Sequence, residues 1–213
     1  MRDVRNSLEN TWFENPQDGQ RFRILSLPTI EAPGTFVLEY VYQPFTGETA
    51  VPPHFHPTST ESFEILSGSA RYRIGGVEGS AGAGDRIVMP PNTPHVHPWS
   101  GCAEPLHVRQ TGVTNPADPE GIIASIQAQI TLYGLARDGK LNRSGIPNPL
   151  QLGVLIHTTM PATYIAGPPA SVQRLAFALL ARLGGWFGYR TSYPAYGTLT
   201  AEGLSAADSQ APR

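Results

Sequence analysis

The chain has a single cysteine among its 213 residues, Cys102, so no disulfide can form within it. A lone thiol suits a reducing compartment. Charged residues make up only 15% of the chain and sum to a formal −2, which gives no basic footprint for nucleic acid. No run of about 18 apolar residues is present, which argues against a membrane span. The start, Met-Arg-Asp-Val-Arg-Asn, lacks the apolar core of a signal peptide. These absences leave a cytoplasmic protein with no nucleic-acid partner as the expectation.

What the chain does have is turn residues, 22 glycines and 21 prolines. They punctuate short runs with strand character at 21–27, 35–42, 61–66, 69–74, 86–89, 95–99 and 106–111. Many short strands broken by Gly and Pro predict a closed or sandwiched all-β unit. The pattern changes after Thr114. Asp118 followed by Pro119 reads as an N-cap and first helical position. Ile122, Ile123, Ile126, Ile130 and Tyr133 then recur at helical spacing, up to Asp138-Gly139. The apolar run 150–156 fits a helix or a strand. After Pro168-Pro169, Val172, Leu175, Ala176, Leu179, Leu180 and Leu183 form an apolar stripe, and Gly184-Gly185 reads as its stop. That stripe reads as a helix docked on the barrel or on a second subunit, the other reading being an interfacial membrane helix over 172–187. The expected organisation is an N-terminal arm (1–20), a β unit (21–114), a helical extension (115–190) and a disordered tail (191–213).

The chemistry concentrates in one constellation. Strand side chains alternate between faces, so His54 and His56 share a face and Phe55 points away. In the next strand Glu61, Phe63 and Ile65 share one face, while Ser62, Glu64 and Leu66 share the other. Glu61 can stand beside the two histidines and Glu64 cannot. Three imidazoles, those of His54, His56 and His95, and the Glu61 carboxylate can close around one divalent metal ion, with iron, manganese, zinc and nickel all suited to the donors. His97 lies two residues beyond His95 and points the same way, either as a proton-moving catalytic group or substitute ligand, or as polar lining. Phe63 and Trp99, in the inward phase, would make the cavity partly apolar. His107, Arg109 and Thr111 share a face of the last strand. Facing inward, Arg109 would clamp a substrate carboxylate; Leu106 and Val108 are the natural core face, which would send it outward. Cys102 and His157 have no catalytic neighbours in sequence.

Two blocks carry a family resemblance. The first runs Gly47, His54, His56, Glu61, Gly68, and the second Gly84, Pro90, Asn92, His95. Together they resemble the paired motifs of the cupin superfamily. The resemblance covers about residues 21–114, and Asn92 and Trp99 stand where the family usually has Gly and often has Asn. It implies a mainly β fold, a cupin-like antiparallel β-barrel of jelly-roll type with a helical C-terminal extension. It implies His54, His56, Glu61 and His95 as metal ligands, with Glu61 able to leave the metal and act as a base. It further implies an enzyme oxidising a small organic molecule, dioxygenase-like. A non-redox isomerase, lyase or cyclase, and a non-enzymatic binding or sensing module, are the alternatives. Pairing through sheet edges into a homodimer is the expected assembly.

Overall fold

A computed structural model describes residues 8–44 and 52–199. Residues 1–7, 45–51 and 200–213 lie outside it, and with them part of the expected arm, Gly47 of the first motif, most of the loop before His54 and the end of the expected tail.

Eleven strands and three helices are formed among the described residues. The strands are β1 (Trp12–Asn15), β2 (Gln20–Ser26), β3 (Thr35–Tyr42), β4 (His54–Phe55), β5 (Ser59–Ser67), β6 (Ser69–Ile74), β7 (Val77–Gly82), β8 (Arg86–Met89), β9 (His95–Ser100), β10 (Leu106–Thr114) and β11 (Tyr164–Ile165). The helices are α1 (Pro119–Arg137), α2 (Pro149–Thr159) and α3 (Ala170–Trp186). One antiparallel sheet runs β1-β2-β3-β10-β5-β8 and the other β11-β4-β9-β6-β7. Their alternating inner residues make the core of a jelly roll, and among the described residues hydrogen bonding does not close the two sheets into a barrel. β10 sits centrally, paired with β3 on one side and β5 on the other. Leu106, Val108 and Gln110 point into its core face and are almost fully buried.

The structure departs from sequence expectation in several elements. The arm contains a strand, β1, because Trp12–Asn15 form a hairpin with β2. β4 is the strand that the alternation of His54 and Phe55 requires, only two residues long and ordered by pairing with β9 and β11. β7 (Val-Glu-Gly-Ser-Ala-Gly) has almost no strand propensity and exists because the Gly75-Gly76 turn folds it back on β6. The undecided run 150–156 is helical. Asn148 caps it, its Oδ1 accepting from Leu150 N at 2.9 Å, with Pro149 at the first position. Gly184-Gly185 does not stop α3. A side chain at Gly184 would meet Leu150 O and Val154 Cγ2 at 2.8 Å, so glycine there lets α3 approach α2.

α1 begins at the expected cap, with Asp118 Oδ1 accepting from Gly121 N at 2.9 Å. Its apolar face joins the sheet core: Tyr133 packs edge-on against Phe22, centroids 5.1 Å apart. One hydrophobic cluster therefore runs from Phe22, Leu38, Phe63 and Val108 through Ile126, Ile130 and Leu155. Tyr196, in a 3₁₀ turn at Pro194–Tyr196 within the expected tail, is buried in the same cluster.

Candidate metal centre

Three strands, β4, β5 and β9, bring five donors together. β4 supplies His54, whose cross-strand partner on β9 is His95. His56 follows β4, Glu61 lies on β5, and His97 lies two residues along β9. One ligating atom from each of His54, His56, Glu61, His95 and His97 falls within 4.8 Å of all the others. Glu61 is the hub. Its Oε2 lies 2.9 Å from His97 Nε2, 3.3 Å from His95 Nε2 and 3.4 Å from His56 Nε2.

Three of the rings are pinned from behind. His54 Nδ1 donates to Pro52 O at 3.1 Å, His95 Nδ1 to Thr93 O at 2.8 Å, and His56 Nδ1 to Ala162 O at 3.0 Å, with Thr163 Oγ1 at 3.1 Å. A carbonyl can only accept, so each Nδ1 carries the proton and each Nε2 presents a lone pair to the centre. This is how metal-ligating imidazoles are oriented. The Nε2 atoms of His56 and His95 are buried with no hydrogen-bond partner among the described residues, an arrangement that costs about 1–3 kcal/mol per group when nothing fills it. A divalent cation fits this donor set. His97 differs: no group pins its Nδ1 among the described residues, its side chain is 24% exposed against 1% for His95, and its Nε2 lies 3.2 Å from His54 Nε2.

The electrostatics follow from crowding. Burial alone would raise the Glu61 carboxyl, but the neighbouring imidazoles of His56 and His97 outweigh it and hold Glu61 well below the usual carboxylate range. Burial, then the neighbouring His97 and His56, push His54 well below the imidazole range. Burial would lower His56 too, yet the Glu61 charge and the hydrogen bond to Ala162 raise it.

The turn that delivers His95 docks on the first motif. Asn92 adopts φ 57°, a left-handed conformation asparagine tolerates. Its backbone N donates to His56 O at 2.8 Å and its Nδ2 to Pro57 O at 3.1 Å.

Two pocket candidates lie elsewhere. Phe63 is fully buried beside the cluster, 5.0 Å from the His97 ring. Trp99, however, is on the outer face. The β6–β9 register shifts between Arg71 and Arg73, so His95 and Ser100 oppose inward residues while Trp99 opposes Arg71. The Arg71 guanidinium sits 5.9 Å from its ring. The bulge, around the buried Pro98, reverses the phase that simple alternation gave. Arg109 is likewise outside, paired with Glu64 at 3.1 Å and half exposed, because Leu106 and Val108 take the core face. Trp99→Ala and Arg109→Ala should leave metal affinity unchanged in calorimetric titration, and Arg109→Ala should shift stability by no more than about 0.5 kcal/mol. A marked loss of affinity in either would return that side chain to the site.

Gln110 is a site residue that was not singled out from sequence. Its Nε2 donates to Glu61 Oε1 at 2.7 Å from within the core, and it shares a face with Leu106 and Val108, which was the available signal. Ala162 and Thr163 belong to the helical extension, and nothing in their sequence places them behind His56.

Residues 41–108 match the cupin domain family. No curated protein sequence matches the chain. Among solved structures, a conserved protein from Klebsiella pneumoniae with a double-stranded β-helix domain is 22% identical, with a TM-score of 0.40 over 50% of this chain and 87% of that one. Pac13, a nucleoside dehydratase from Streptomyces, is 18% identical with a TM-score of 0.38, over 49% and 75% respectively. A candidate sugar phosphate isomerase from Acidithiobacillus ferrooxidans is 18% identical with a TM-score of 0.33, over 38% of this chain; the match spans 50% of that protein's length. No helix among the described residues is long and apolar enough to cross a membrane.

Proposed function

We propose that this protein, whose residues 41–108 match the cupin domain family, is a metal-dependent enzyme that oxidises a small organic molecule with dioxygen, its ion held by His54, His56, Glu61 and His95. The observation that supports this most is the pinning of three Nδ1 atoms, which leaves three Nε2 lone pairs within a cluster whose ligating atoms lie within 4.8 Å of one another. Once bound, a redox-active ion supplies electron transfer and polarises substrate oxygens. His54, His56, Glu61 and His95 would hold the ion, and it would supply a site for substrate beside them.

The chain's own contribution is binding, orientation and proton handling. Gln110 holds one oxygen of Glu61 and leaves the other for the ion. His97, unpinned and partly exposed, donates from Nε2 to Glu61 Oε2, and in catalysis it passes this proton to or from substrate. Phe63 backs His97 and keeps water from that side. The same His97–Glu61 contact favours a second reading, a non-redox isomerase, lyase or cyclase, since it moves a proton without needing an oxidant.

Stripping the protein with a chelator and reloading it separately with iron, manganese, zinc and nickel distinguishes the two. Oxygen uptake with small oxygen-bearing compounds, restored by iron alone, is the expected result. Conversion without oxygen uptake under zinc or nickel would select the second reading. Full turnover in the stripped protein would end both.

A further inference from the structure

We propose that the exposed face of α3 is a dimer interface, on which the α3 of a second copy packs antiparallel about a two-fold axis at Leu179. This goes beyond the enzymatic reading and does not depend on it. α3 docks on α2 through Leu180 and Gly184, and Gln173 fastens it to β11, the strand paired with β4, by bonding both the N and the O of Ile165. The opposite face is uncovered among the described residues. Val172 is 56% exposed, Leu175 66%, Leu179 55%, Leu183 42%, Trp186 74% and Phe187 73%.

The spacing of this face is itself two-fold. Positions 172, 175, 179, 183 and 186 step by three, four, four and three residues, a palindrome about 179. Antiparallel pairing therefore sets Leu179 against its own copy, Leu175 against Leu183, and small Val172 against large Trp186. A closed isologous contact requires such self-complementarity. The exposed fractions of the six side chains amount to roughly 700 Å² of apolar surface per copy, close to the ~800 Å² per partner of a standard stable interface.

Other occupants fit less well. Residues 1–7, 45–51 and 200–213 each hold at most two large apolar side chains, among them Val4, Phe45 and Leu204, too few to cover six. A lipid surface would want a strongly cationic polar face, and α3 carries only Arg174 and Arg182. In the two-fold arrangement Arg182 lies opposite Ala176 of the second copy, which leaves it room at the rim.

The test is the solution mass of the full chain, with two variants. Light scattering should give a dimer at micromolar concentration, and Leu179→Arg should give a monomer with unchanged circular dichroism. In a Cys102→Ser background, which removes the exposed native thiol, Leu179→Cys should oxidise to a covalent dimer. Ser171→Cys should not, since its copy would lie roughly 24 Å away along the axis. A monomeric native chain overturns the proposal, whether or not it sediments with phosphatidylglycerol vesicles. So does a dimer that survives Leu179→Arg, or equal cross-linking at both cysteines.

Discussion

His95→Ala is expected to lower affinity for a divalent ion by at least about 100-fold, and Glu61→Gln to do the same, since even the supporting groups of metal ligands contribute 10–100-fold. Gln110→Leu, which releases the far oxygen of Glu61, is expected to cost about 10–100-fold. These losses should leave the fold intact, because the ligands occupy strands whose cores are built by other residues. Calorimetric titration with circular dichroism of each variant checks this. Affinity retained in His95→Ala would mean that the ion, if it binds, binds elsewhere. Affinity should also fall as the solution is acidified, beginning above the ordinary imidazole range, because His56 is raised and must lose its proton before Nε2 can ligate. Glu61, held well below its usual range, stays ionised throughout that window.

Phe22→Ala is expected to destabilise the protein by about 3–5 kcal/mol. Phe22 is fully buried and touches three rings: Phe13 at 5.1 Å, Tyr40 at 5.7 Å and Tyr133 at 5.1 Å. It joins β1, β3 and α1 in a single core, so its removal leaves a void that none of these elements can collapse into alone. Urea unfolding should show a lower midpoint with an unchanged slope and one cooperative transition. Two transitions, or a loss below about 1 kcal/mol, would show that the helices and sheets fold independently.

Residue phase was legible where strands were regular. The separation of Glu61 from Glu64, and of Leu106 and Val108 from Arg109, needed only the two-residue period. Trp99 was misplaced because a bulge adds a residue to β9, and no local signal marks it except Pro98. β7 was missed because its strand state comes from pairing with β6, a tertiary cause acting on Gly, Ser and Ala. Gly184 reads locally as a helix stop, while its role is set by Leu150 and Val154 on another helix. The behaviour of the three histidines was only half visible: spacing suggested that their rings meet, yet the carbonyls of Pro52, Thr93 and Ala162 decide which nitrogen faces the centre. Ala162, over a hundred residues from His56, could not have been read from the motif.

Equilibrium metal titration of the native chain beside His54→Ala, His56→Ala, Glu61→Gln, His95→Ala and His97→Ala is the most direct measurement. One ion per native chain is expected, with its loss in the first four variants and its retention in His97→Ala. Binding that is absent from the native chain, or that survives removal of His54 or His95, would contradict this.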